Sequence, residues 1–177
     1  LARRHPGLTI LITTTTVTGR AVAEESFPHC RIAYCPLDFT WAVRTALRRV
    51  RPVCVGLVEL ELWPNLIRET SASGATLMLI HGRLTSPRHR GYRRVRPVIS
   101  PLLQRLHVMA VQTEEYAARL IDLGAPARRV HVTGSIKFDG VSIDGLASQT
   151  AALRSAFGLA ATDRVFIAGS THDPEEM

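Results

Sequence analysis

Lysine is almost absent. Of the 22 lysine and arginine residues only one, Lys137, is a lysine, and with 15 acidic residues the formal net charge is +7. A surface built from arginine suits phosphate and other anions, because the planar guanidinium can pair with two oxygens at once. The anion could belong to a nucleic acid, a lipid head group or a nucleotide. Cysteine is scarce too. Cys30, Cys35 and Cys54 show neither metal-ligand nor redox spacing, which fits packing roles in a reducing compartment. No apolar stretch approaches the ~20 residues of a membrane span, and no secretory leader is visible. Gly-x-Gly-x-x-Gly and P-loop patterns are missing, so the common nucleotide fingerprints do not apply. The chain opens at Leu1 and closes at Met177 just after a strand-like run, and reads as a fragment whose last domain has barely begun.

What is present is a regular alternation. The 177 residues are 46% hydrophobic, enough for one good core. Apolar runs at 8–14, 31–35, 53–59, 76–80, 107–113 and 129–134 read as strands. Helical patterns separate them at about 17–27, 40–50, 64–73, 91–105 and 114–123, with Gly124 as a C-cap. Strands that are apolar throughout and separated by helices imply a parallel sheet covered on both faces. The fold class is therefore α/β, a doubly wound domain. The stretch 138–149 breaks the rhythm with glycine, serine and aspartate and reads as a linker. A helix near 150–157 and a new strand at 164–169 follow. The expected organisation is a domain over 1–140, a linker and helix over 141–162, and the start of a second domain over 163–177.

Several stretches carry chemistry. In "VELELWPNLI" (58–67), Glu59 and Glu61 stand one residue apart where a buried strand ends, and strand alternation would put them on one face. Pro64 suits the first turn of the next helix. Glu61 thus falls at the carboxyl edge of the sheet, where open α/β sheets bind ligands; an acid there can equally cap the helix or pair with an arginine. In "TTTTVTG" (13–19), threonine hydroxyls such as that of Thr16 can cap a helix or hold an anion. "HGRLTSPRHRGYRRVRP" (81–97) gathers Arg83, Arg88, Arg90, Arg93 and Arg94 around Tyr92, either to bind phosphate or as a solvated helix face. Nucleic acid is disfavoured, because one aromatic interleaves the basic residues and no known module is present. His81 and His89 have no metal partners at useful spacing. Lys137 follows the sixth strand, where a cleft between two domains would lie. "AGSTHDPEE" (168–176) places Gly169, Ser170, Thr171 and His172 in a small-residue turn suited to a phosphate or sugar.

Taken in order and spacing, "TTTTVTG", "VELELWPNLI", "GRLTSPRHRGYRRVRP", "VQTEEYAARLIDLGA", "VTGSIKFD" and "AGSTHDPEE" resemble the Kdo (3-deoxy-D-manno-octulosonic acid) transferases over nearly the whole chain. The resemblance implies two Rossmann-like domains facing a cleft, the GT-B arrangement. It also implies an inverting, metal-independent transfer, with no cofactor, from CMP-Kdo to a lipid A precursor at the cytoplasmic face of the bacterial inner membrane. Glu61 would then support catalysis. Lys137, Ser170, Thr171, His172 and Glu175 would hold the donor and its phosphate. Thr16, Arg83, Arg88, Arg90, Arg93 and Arg94 would hold acceptor phosphates or an anionic membrane surface; no nucleic acid is expected as a partner. The family's general base is a glutamate in a Gly-Glu motif that this chain does not contain, so the 177 residues are expected to be inactive alone. The family often carries asparagine where His81 and Ser135 stand, which puts contacts through those positions in question. Two other classes stay open: a GT-B enzyme with another donor, and a non-catalytic basic α/β domain.

Overall fold

The computed structural model describes residues 4–5, 7–136, 146–160 and 162–166. The chain divides into two compact units, Leu1–Ser135 and Ile136–Met177. In the first unit strands and helices alternate: β1 (Leu11–Thr14), α1 (Val17–Ser26), β2 (Arg31–Tyr34), α2 (Thr40–Val50), β3 (Cys54–Val58), α3 (Pro64–Ala72) and β4 (Thr76–Gly82). Then come α4 (Ser86–Arg94), α5 (Arg96–Leu103), β5 (Val108–Val111), α6 (Glu114–Asp122) and β6 (Val130–Val132). Every strand pairing is parallel. The α/β class read from the alternation is what the chain adopts.

Two details differ from the sequence reading. The helix expected over 91–105 is two helices, α4 and α5, broken at Val95. Pro97 is the cause, since it offers no N–H and its ring clashes with the carbonyl four residues back. Pro87 likewise starts α4 earlier than expected. The second difference concerns the sheet. A single sheet was expected, but the ladders form two: β1–β2, and β3–β4–β5–β6 in that order. Consecutive strands are neighbours except at β2 and β3, whose connecting helix α2 packs on α3 instead of laying β3 beside β2.

Burial follows the same division. Leu57, Ile67, Leu77, Leu79, Leu103, Met109, Val111 and Leu120 form a core between the four-stranded sheet and helices α3, α5 and α6. No residue of β1 or β2 is fully buried, and around them Leu37, Phe39 and Trp41 lie exposed. A strand sequence apolar on both faces is thus only half used there.

In the second unit, α7 (Leu146–Ala156) supplies the expected helix, beginning a few residues early. Residues 162–166 carry no strand, and the rest of the expected strand lies outside the described residues.

Candidate functional site

Parallel pairing puts the carboxyl ends of β3 to β6 on one edge, and of the expected residues Glu61 and Arg83 follow strands that end there. At the end of β3 the chain turns sharply: Glu59 is left-handed, with φ 59°. The alternation that would have put Glu59 and Glu61 on one face therefore ends at Val58, and that expectation fails for this reason. Pro64 opens α3 as expected, but the helix N-terminus is capped from a distance. Asp38 accepts hydrogen bonds from the backbone N–H of Asn65 at 3.0 Å and of Leu66 at 2.8 Å. The Asn65 side chain in turn donates to the Asp38 carbonyl. A carboxylate on these free N–H groups also meets the positive end of the helix dipole.

Glu61 is consequently not the cap. Its Oε2 accepts from the Trp63 indole N–H at 2.9 Å. This bond leaves the other carboxylate oxygen available, and the pair lines an open groove of about 660 Å³ with Leu60, Leu62, Arg88, Gly91 and Tyr92. The size fits a ligand site, and an acid, a guanidinium and two aromatics suit a sugar with an anionic substituent. A second hollow, about 550 Å³, lies between α2 and α3 and is lined by Arg44, Arg48, Arg51 and Glu69. It adjoins Pro52 and Ser73, which precede β3 and β4 and so mark the opposite edge, and the Arg44–Glu69 ion pair at 2.7 Å occupies it in part.

The arginines of α4 divide by helical face. Arg88 and Tyr92, four apart, line the groove beside Glu61. Four residues also separate His89 and Arg93, and both face Asp122 of α6, at 2.8 and 3.6 Å. Arg90 and Arg94 are exposed and pair with no described residue, and so is Arg83 beyond β4. Arg119 of α6 anchors the α4 start, donating to the Leu84 carbonyl at 2.7 Å and to Ser86 Oγ.

Thr16 caps α1: its hydroxyl accepts from the Gly19 N–H at 3.0 Å. A Cβ at Gly19 would lie 2.5 Å from Thr14 Oγ1 and 2.8 Å from Thr16 Oγ1, so a side chain there would displace these hydroxyls. Cys35, just past β2, is partly buried and feels the charges of Asp38 and Glu61. Burial first, and those two carboxylates, push its thiol above the ordinary value, so it is protonated at neutral pH.

At the ends of β4 and β6, His81 Nε2 is hydrogen-bonded to Ser135 Oγ at 3.2 Å, and Gln112 Nε2 donates to the His81 carbonyl at 3.2 Å. Lys137, Ser170, Thr171, His172 and Glu175 lie outside the described residues. Sequence reasoning missed Asp38, Trp63 as the partner of Glu61, and Arg119. Only Trp63 left a local signal, two residues from the acid.

Parallel α/β topology with an acid, an arginine and aromatics at the carboxyl edge is consistent with a domain of a GT-B glycosyltransferase. The comparisons agree. Residues 1–140 match the family model described as 3-deoxy-D-manno-octulosonic-acid transferase (kdotransferase), and the chain belongs to that family. It is 29% identical to the 3-deoxy-D-manno-octulosonic acid transferase of Haemophilus influenzae over 178 residues, covering 99% of this chain and 41% of that protein. The Bordetella pertussis protein of the same name is 37% identical over 139 residues, 75% of this chain and 32% of that one. For the Chlamydia pneumoniae protein the identity is 27% over 169 residues, 94% and 39% of the two chains. The chain thus spans about two fifths or less of the length of these relatives.

Proposed function

We propose that this chain is the acceptor-side domain of a GT-B enzyme that transfers Kdo from CMP-Kdo to a lipid A precursor. Residues 1–140 would hold the acceptor, 141–162 would link the domains, and 163–177 would begin the donor domain. Family membership supports the reading. The observation that carries it to particular residues is the Glu61 carboxylate, released from capping by Asp38 and held by Trp63 in a groove with Arg88.

In this mechanism a base removes the proton of an acceptor hydroxyl while its oxygen attacks the anomeric carbon of Kdo from the face opposite the phosphate. The new C–O bond forms as the bond to phosphate breaks, and CMP leaves with the electron pair, so the anomeric configuration inverts. The base is not one of these residues. Glu61 acts beside it, accepting a hydrogen bond from the acceptor and favouring loss of the hydroxyl proton. Arg88 and Tyr92 hold the acceptor against that acid. Arg83, Arg90 and Arg94 face anionic groups of the acceptor or of the leaflet that carries it, at the cytoplasmic face of the inner membrane. Each arginine near such a surface contributes on the order of 1 kcal/mol.

The test uses the polypeptide encoded by the complete open reading frame. CMP release and Kdo incorporation are measured with CMP-Kdo and a lipid A precursor. Transfer to the lipid supports the reading; release of CMP without the acceptor, or activity only with another nucleotide sugar, rejects it.

A further inference from the structure

Strand β4 changes phase before it ends. Leu77 and Leu79 are fully buried, as alternate residues on one face should be. The next buried residues in that series should be His81 and then residue 83. His81 is buried as the series requires, but Gly82 beside it is buried too, and from there Leu84 is buried and Arg83 exposed. The pairing with β5 shows where the phase is lost. Leu79 stands opposite Met109 and Gly82 opposite Val111, so β4 takes three steps where β5 takes two. The extra residue is a β-bulge, a device that re-aims side chains.

His81 makes the bulge possible. Its φ is 56°, in the left-handed region that histidine enters more readily than most residues and that β-branched residues avoid. It is 6% exposed, held by the Gln112 side chain on its carbonyl and by Ser135 on its ring. Gly82 then seats against β5, where a Cβ would come 2.9 Å from Val111 Cγ1. Without the bulge Arg83 would point into the core beside Leu79, an uncompensated buried charge.

We infer that His81 is a positioning residue whose left-handed backbone throws Arg83 out to the carboxyl edge, where its guanidinium holds a phosphate of the substrates. The substrate role rests on the transfer activity proposed above; the backbone role does not. That phosphate belongs either to the acceptor or to the departing nucleotide, and separate KM values distinguish the two.

Two measurements test the inference. On the chain itself, phenylglyoxal modification mapped by mass spectrometry should label Arg83 readily in the wild type and in His81→Gly, which keeps the left-handed conformation. Labelling should be much slower in His81→Val. Equal labelling in all three, or slow labelling in His81→Gly, overturns the backbone role. In the complete enzyme, Arg83→Gln should raise one KM about tenfold or more, the scale of a charge-assisted hydrogen bond. His81→Val should match that loss, and the double variant should be no worse, because both remove one contact. His81→Gly should stay within about threefold of wild type. An unaffected Arg83→Gln, or multiplying losses in the double variant, overturns the substrate role. If His81→Val does not fold, Arg83→Gln made in His81→Gly decides: the same loss as in wild type supports the inference and no loss rejects it. A wild-type enzyme inactive with these substrates rejects the proposed function, while the labelling result still judges His81.

Discussion

Replacing Asp38 by alanine should uncouple α3 from the β2–α2 connection and cost more stability than any other single acidic change in the first unit. The carboxylate caps two backbone N–H groups at 3.0 and 2.8 Å, from 27 and 28 residues away in sequence. An ordinary cap is worth ~1 kcal/mol. A partly buried, charge-assisted bond contributes about 1.5–3 kcal/mol, and its loss leaves helix donors unpaired. A net destabilisation of roughly 2–3 kcal/mol follows, read against the partial rescue water gives to these groups. At about 3–5 °C per kcal/mol for a unit of this size, the thermal midpoint should fall by roughly 6–15 °C. Asp38→Asn keeps one acceptor and should lose about half as much. Thermal and urea denaturation of the chain, followed by far-UV circular dichroism, measure both variants. An Asp38→Ala midpoint within 2 °C of wild type, ~0.5 kcal/mol on the same scale, would refute the capping argument.

Three further outcomes are expected. Because burial and nearby carboxylates raise the Cys35 pKa, its alkylation should be slower at neutral pH than that of exposed Cys54 and should accelerate only at higher pH; equal rates at pH 7 would contradict the placement. Replacing Arg88, Arg90 and Arg94 by glutamine should weaken binding to anionic vesicles, with each residue contributing on the order of 1 kcal/mol and the effect shrinking in high salt. Binding that is equal to neutral vesicles, or stronger to nucleic acid, would count against it. Asp122→Asn removes the partner of His89 and Arg93, which is 49% exposed, so stability should change by less than ~1 kcal/mol. With Arg93 released, anionic-vesicle binding should rise, and unchanged binding would mean that Arg93 faces elsewhere.

Most of the layer structure could be read from residue pattern. Apolar runs separated by amphipathic segments marked the six strands described in the first unit, and α2 begins and ends at the expected residues. Pro64 marked the α3 start because its physics is local. What escaped was non-local or conformational. Nothing near Asp38 indicates that it caps a helix more than 25 residues on. The left-handed turns at Glu59 and His81 break strand alternation at residues that are not glycine. Hence the face shared by Glu59 and Glu61 was misread, while the strand leading to them was not. Pro97 was visible, yet helix stands on both sides of the break at Val95. At the site, the acid and the basic segment were legible by type; only the fold shows that Arg88, and not Arg93, shares the groove with Glu61.

The most direct measurement compares Glu61→Gln with wild type in the complete enzyme, following Kdo transfer and thermal midpoint together. Glutamine keeps the shape and can still accept from the Trp63 indole, but it carries no charge. If Glu61 serves the reaction in its groove and Asp38 holds the helix, transfer should fall by a factor of about 10² or more. The midpoint should move by less than about 0.5 kcal/mol in stability, as for an exposed side chain that caps nothing. Transfer at close to the wild-type rate, or a loss that merely tracks unfolding, would contradict the role assigned to Glu61.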